Sequence, residues 1–191
     1  MIMRVQQAAL SDYGSILAFY DDVIDRTPQI ERHAWWQKGK HPTAEGVRAY
    51  IEEGSMYLCR DDRAIIAVMA LTPYQGEDYH PVKWLWDLAD DEVAVIHILA
   101  VSPDRQGEGV GEQMVREAVR LAEELGKKSL RLDTLLSNTP AQRLYERLGF
   151  VCRGRQHLMA ENTGWTDFLF YEYRSGLLPS AKPESPSPQV R

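Results

Sequence analysis

The chain has 191 residues, 44% of them apolar, which suits a single globular domain with a substantial core. Its 22 Lys and Arg against 28 Asp and Glu leave a formal charge of −6, which argues against a broad polyanion-binding surface, so no nucleic-acid partner is expected. Cys59 and Cys152 lack ligand spacing and the five histidines are scattered, so neither a disulfide framework nor a metal site is expected.

In chain order, "MRVQQAA" at 3–9 predicts a short strand. "SDYGSILAFYDDVID" predicts a capped helix, with Ile16, Leu17, Phe19, Tyr20, Val23 and Ile24 at helical spacing. A second helix over about 43–53 carries Val47, Tyr50 and Ile51 and stops at Gly54. "SMYLCRD" and "RAIIAVMALTP", parted by Asp61 and Asp62, predict an antiparallel hairpin. Residues 74–92 form a long connection crowded with Tyr74, Tyr79, Trp84 and Trp86, the sort of segment that tends to carry function. The nearly unbroken apolar run "VAVIHILAVS" at 93–102 predicts a strand buried on both faces.

From 110 onward Val110, Met114, Ala118, Leu121, Ala122 and Leu125 make one helical stripe, and Gly126 ends it. "SLRLDTLL" alternates Leu130 and Leu132 with Arg131 and Asp133, as a strand does. "SNTPAQRLYERLGF" predicts a short helix with Thr139 as N-cap, Pro140 in its first turn and Gly149 at its end. Strands at about 150–159 and 165–173 follow. The Pro/Ser-rich stretch 176–191 is expected to be disordered, a polyproline ligand being the other reading. The order β-α-α-β-β-β-α-β-α-β-β predicts a mixed sheet with helices on both faces, a single layered α/β domain over 1–175. No stretch approaches the ~20 apolar residues of a membrane span, and the start carries no leader pattern. No membrane partner is expected, and a reducing cytoplasm is the default location.

"SPDRQGEGVGEQMV", 102–115, sets three glycines at alternate positions between the apolar strand and a helix start. Unpaired N–H groups and the positive end of the helix dipole make such a turn an anion site, and glycines admit close approach of a ligand. A nucleotide-hydrolysing P-loop is disfavoured, because Glu112 and Gln113 stand where Lys and Ser/Thr are needed. The GxGxxG dinucleotide fingerprint fails in both registers, at Glu112 and at Met114.

Gln106-Gly107-Glu108-Gly109-Val110-Gly111 resembles the Q/R-x-x-G-x-G/A loop of the GNAT superfamily of N-acetyltransferases. "ILAVSPDRQG" is similar to that family's central strand and loop, and "NTPAQRLYERLGF" to its N-x-x-A-x-x-L-Y-x-x-x-G-F segment. The resemblance covers about residues 3–173 and implies the GNAT fold, with its central strands splayed apart. It implies acetyl-CoA as co-substrate. The backbone of Leu99, Ala100 and Val101 would hold the thioester and pantetheine arm, and N–H groups from Gln106 to Glu112 the pyrophosphate. Asn138 would bond the cofactor's amide portion, and Tyr145 would protonate the departing thiolate. For Tyr145 the plainer reading is a core aromatic.

An ammonium acceptor must lose a proton before it can attack, so a base is needed. His97, two residues before Leu99, is the first candidate, with a structural histidine as the alternative; Glu92 is the rival. The acidic group Asp87, Asp90, Asp91 and Glu92 would either attract a cationic acceptor or solvate a loop. Trp35 and Trp36, with the aromatic loop at 74–86 that carries Trp84 and Trp86, are the expected acceptor wall, unless they cover the sheet edge. The expected activity is acetyl transfer to a small-molecule or peptide amine, with a CoA-binding regulatory module as the alternative. The acceptor's identity is not legible, and a homodimer is left open.

Overall fold

Alternating strands around a doubly apolar centre build one seven-stranded mixed sheet in the computed structural model, which describes residues 4–160 and 162–174. The strands are β1 Val5–Gln7, β2 Met56–Asp61, β3 Ala64–Thr72, β4 Val93–Val101, β5 Ser129–Leu135, β6 Val151–Ala160 and β7 Gly164–Arg174. Their spatial order is β1-β2-β3-β4-β5-β7-β6, and β4 and β5 are the parallel pair. The helices are α1 Tyr13–Arg26, α2 Ile30–Ala34, α3 Ala44–Glu53, α4 Val110–Glu124 and α5 Thr139–Arg147. The expected mixed-sheet α/β architecture is the one found. The stretch 176–191 lies outside the described residues.

Each face of the sheet has its own cover. The stripe Val110, Met114, Ala118 and Ala122 of α4, with Tyr145 and Leu148 from the α5 end, packs on Met69, Ile96, Leu130 and Leu132. On the opposite face Ile16, Phe19 and Val23 of α1 and Val47 and Ile51 of α3 bury Leu58, Val68 and Ala70. Further along that face the 73–92 connection lays Tyr79 and Val82 over Val93, Val95 and Phe170. Because neighbouring residues of β4 point to opposite covers, Val93, Ala94, Val95 and Ile96 are all buried.

Two local features depart from the sequence expectations. The N-cap of α5 is Asn138, whose side chain accepts from the Ala141 N–H at 3.3 Å, and Thr139 is already the first helical residue. The five residues of α2, bounded by left-handed Gln29 and Trp35, make a turn of helix too short to show a periodicity.

Beneath the 73–92 connection lies a fully buried ion pair. Arg131 of β5 and its cross-strand partner Glu172 of β7 meet at 2.7 Å with side chains 1% and 0% exposed. Arg131 also donates to the Gln75 side chain at 2.6 Å and the Trp86 carbonyl at 2.9 Å, and lies 4.0 Å from the centre of the Trp84 ring. The other Glu172 oxygen accepts from the Leu85 N–H at 2.8 Å. The pair therefore tethers the connection at several points. Glu172→Leu leaves an uncompensated buried cation and an unmet N–H, and is expected to cost about 3–5 kcal/mol in denaturant unfolding. Arg131→Met in the same chain is expected to recover part of that loss.

Candidate active site

The site starts where two parallel strands part. β4 and β5 are paired from Val93↔Ser129 to Ile96↔Leu132 and no further. On its other side β4 pairs His97 with Ala70 and Ala100 with Val68, so Ile98 and Leu99 oppose the single residue Met69 in a β-bulge. Ile98 has the left-handed φ of 44°, which a β-branched residue adopts only where its surroundings hold it. The Tyr20 hydroxyl donating to the Ile98 carbonyl at 2.7 Å is one such hold. The bulge turns β4 away from β5, and backbone from His97 to Val101 borders an open cleft instead of a neighbouring strand.

The glycine loop rises from the end of that strand. Gly107 and Gly109 have φ of 83° and 82°, and an added Cβ on either meets nothing within 4 Å. Their glycine requirement is thus conformational, and the space beside them is open. Gly111 differs: a Cβ there would touch Leu144 and Val101 at 3.5 and 3.6 Å, so it lets α4 sit close to β4 and α5. Among the described residues, the N–H groups of Gln106, Gly107, Gly109, Val110, Gly111 and Glu112 make no hydrogen bond, whereas Glu108 N–H donates to the Arg105 carbonyl at 3.4 Å. The Glu112 carboxylate is drawn along the helix to Arg116 at 2.9 Å, and Glu108 pairs with Arg105 at 3.0 Å. Neither acidic side chain is left unpaired beside the loop.

A cleft of about 320 Å³ opens between the parted strands, bordered by Leu99, Asn138, Tyr145, Trp36 and His97. Tyr145 is 7% exposed, edged by Phe150 and Tyr171, and its hydroxyl bonds to no described residue. Burial first, and then the Asp133 charge, push its pKa up, so it stays protonated. The Thr72 hydroxyl donates to the Tyr74 carbonyl at 2.8 Å, and therefore accepts from His97 Nε2–H at 3.2 Å. His97 also stacks on Tyr50 at 5.8 Å, and burial pulls its pKa down to about 4. It is a neutral imidazole with its Nδ1 lone pair free of that bond.

Asp133, one rung beyond Arg131 on the same face of β5, lines the same cleft. Its Oδ1 accepts from the Tyr79 hydroxyl at 2.6 Å, and desolvation raises its pKa despite that bond. Tyr79 is held between the stacked Trp84 ring at 5.8 Å and the edge of Phe170 at 5.2 Å. Asp133, His41 and Tyr50 line the cleft and are residues the sequence reading did not single out as site groups, whereas Tyr79, which lines it too, belongs to the aromatic connection expected to carry function. The signal for Asp133 was a polar residue in a strand whose other face is apolar.

Other expected residues lie elsewhere. Glu92 stands at the start of β4, roughly 20 Å below Leu99 at the strand rise of about 3.3 Å per residue. There it is hydrogen-bonded to Lys128 and to the Ala89 N–H, both of which lower its pKa. Of the four tryptophans, only Trp36 borders the cleft. Trp84 stacks over Arg131, Trp86 lies 5.1 Å from the Arg174 guanidinium, and both line a second cavity; Trp35 is 40% exposed. Asn138 borders the cleft while capping α5 through its oxygen, which leaves its amide N–H₂ available. No helix among the described residues is long and apolar enough to cross a membrane.

Comparison with known proteins agrees with this geometry. The family model for the acetyltransferase (GNAT) family matches residues 16–150. A Bacillus subtilis protein named for alanine N-acetylation of ribosomal protein bS18 is 38% identical over 79 residues, 41% of this chain and 51% of its own. The chain spans about half, or less, of the length of the curated relatives it matches. Among solved structures, a GNAT acetyltransferase from Streptococcus agalactiae superposes with a TM-score of 0.74 at 20% identity, over 90% of this chain and 95% of its own. An acetyltransferase from Salmonella typhimurium, solved with its cofactor acetyl-CoA, gives 0.66 at 16% identity, over 97% and 99%. At such identities the structures speak for the fold alone. By the family match across most of its length, and by that fold, the chain belongs to the GNAT acetyltransferase family.

Proposed function

We propose that this chain transfers the acetyl group of acetyl-CoA to a primary amine, with both substrates bound together. The observation that carries the reading is one continuous path. Open N–H groups at a glycine loop adjoin the stretch of β4 that β5 no longer pairs, and this leads to a cleft holding a buried, protonated tyrosine and a buried carboxylate. A long, anionic-ended ligand fits such a path. The loop N–H groups from Gln106 to Glu112 would hold its pyrophosphate at the positive end of α4, and the backbone of Leu99, Ala100 and Val101 its arm, as an added strand. Asn138 would donate to an amide of that arm.

Acetyl-CoA supplies an activated thioester, so that a C–N bond forms as the C–S bond breaks and sulfur leaves as thiolate. The Leu99 N–H, at the bulge of β4, would polarise the acyl oxygen. Tyr145 gives its phenolic proton to the leaving sulfur. Asp133 accepts a proton from the acceptor ammonium, directly or through water. It is a better acceptor than His97, whose pKa near 4 burial sets and whose Nε2–H is already committed to Thr72. Tyr79 orients the Asp133 carboxylate, and the nitrogen's remaining excess proton passes to solvent. Glu92, tied to Lys128 at the far end of β4, takes no part.

Three measurements test these roles. Gly109→Val forces a branched residue into a φ of 82° and puts a side chain into the open space assigned to the pyrophosphate, so Kd for CoA is expected to rise about tenfold or more in calorimetry. Unaltered affinity would remove the loop assignment. Tyr145→Phe is expected to lower kcat about a hundredfold in a thiol-release assay while CoA affinity stays within a few-fold. Full turnover would return Tyr145 to core packing, and CoA binding without thiol release for any amine would favour a regulatory module. Tyr79→Phe removes a hydrogen bond that lowers the Asp133 pKa, so the group must lose its proton at higher pH. The acid limb of kcat/KM is therefore expected to move to higher pH, and an unmoved limb excludes Asp133 as its source.

A further inference from the structure

We infer that the acceptor is a primary amine with an aromatic or apolar body and no free carboxylate beside the reacting nitrogen. The inference rests on the acetyltransferase reading and specifies its other substrate.

The composition of the cleft wall carries it. Trp36, Tyr50, Tyr79, Phe168 and Phe170 supply aromatic surface on several sides. Such faces receive both an apolar body and an ammonium group. The acidic groups of the lining are Asp133, at depth, and Asp78, on the exposed turn that precedes Tyr79. The Asp78 charge is close enough to raise the Asp133 pKa. Among the described residues, no lysine or arginine lines the cleft. Three histidines line it: burial lowers the pKa of His41 and His97, so these bring no compensating positive charge, and His33 gives its Nδ1–H to the Ser137 carbonyl at 3.2 Å. Two neutral donors of the lining already have a use in the proposed reaction, the Tyr145 hydroxyl toward the departing sulfur and the Asn138 amide toward the cofactor arm.

An α-carboxylate follows its nitrogen by two bonds. An amino-acid nitrogen brought to Asp133 would set its own carboxylate within a few ångströms of that residue, in a wall that offers no lysine or arginine among the described residues. The like-charge contact opposes binding, and no arginine fork offsets it. A simple amine avoids the clash, and so does an amino acid whose carboxyl is tied up as an amide. The two sources of this chemistry are thus a free aralkylamine and the N-terminal residue of a peptide.

The test uses the full chain with acetyl-CoA and three acceptors of one shape: tryptamine, tryptophan amide and tryptophan. Thiol release is expected to give a kcat/KM for tryptamine at least about thirtyfold above that for tryptophan. Tryptophan amide assigns the source: activity near that of tryptamine points to a peptide N-terminus, and activity confined to tryptamine points to a free amine. Asp78→Lys, on an exposed turn where folding is little affected, is expected to narrow the tryptamine-to-tryptophan ratio at least about fivefold. Tryptophan turned over as fast as tryptamine, or a ratio unmoved by Asp78→Lys, overturns the inference. So does acetylation of glutamate with none of the three accepted, a result that would leave the acetyltransferase reading standing. Thiol release with no amine at all would remove both.

Discussion

The function of this fold depends on a failure of pairing. Two parallel strands share hydrogen bonds up to Ile96 and Leu132 and then separate, because β4 inserts one residue more than β3 can match. In a continuous sheet the backbone of Leu99 and Val101 would be satisfied by β5. With β5 turned away, the Val101 carbonyl accepts from the Gln106 side chain at 3.4 Å, and the strand edge is open to a further partner. The left-handed Ile98 is the conformational cost of the arrangement, and its carbonyl is tied by Tyr20 from α1. A helix far off in sequence thus helps hold open the edge to which the proposed function assigns the cofactor's arm.

One rung below the separation, the exposed-looking polar pattern of β5 turns out to be internal. Arg131 and Asp133 share a face, and opposite them on β7 stand Glu172 and Phe170. The lower rung is a closed ion pair whose remaining donors and acceptors grip Gln75, Leu85 and Trp86. The upper rung receives Tyr79 from the same connection. Replacing a buried pair by apolar residues is often neutral for stability, so the pair has a further use here in setting where the connection lies. Through Trp84, stacked between Arg131 and Tyr79, the location of the tether reaches the carboxylate in the cleft.

This layering also separates what the sequence could disclose from what it could not. The glycine loop was legible because positive φ at Gly107 and Gly109 demands that residue type locally, and the stripe on α4 because a helix repeats every few residues. Asp133 was legible as a strand residue but not as a site residue, since its cover arrives from a connection some 50 residues earlier, held by two charges that alternation alone assigns to solvent. The same long-range tether misdirected the reading of Trp84, which lies in the expected loop yet faces Arg131. Glu92 adjoins the central strand in sequence, but a strand is long, and its start is not its mouth.

Burial acts in the same sense on four ionisable groups of the cleft. It raises the pKa of Asp133 and Tyr145 and lowers those of His97 and His41, in each case favouring the uncharged form. An entering ammonium is subject to the same pressure, so the wall that lifts the carboxylate's proton affinity also weakens the hold of the nitrogen on its own proton. The two shifts converge, and proton transfer between them becomes less uphill than between the same groups in water. A histidine with a pKa of about 4 gains nothing from this convergence, because its shift runs in the direction of the ammonium's. Among groups buried alike, the acid whose basicity rises with desolvation is the one suited to receive a proton, which is why the proposed reaction assigns that step to a carboxylate beneath an aromatic loop and not to an imidazole on the central strand.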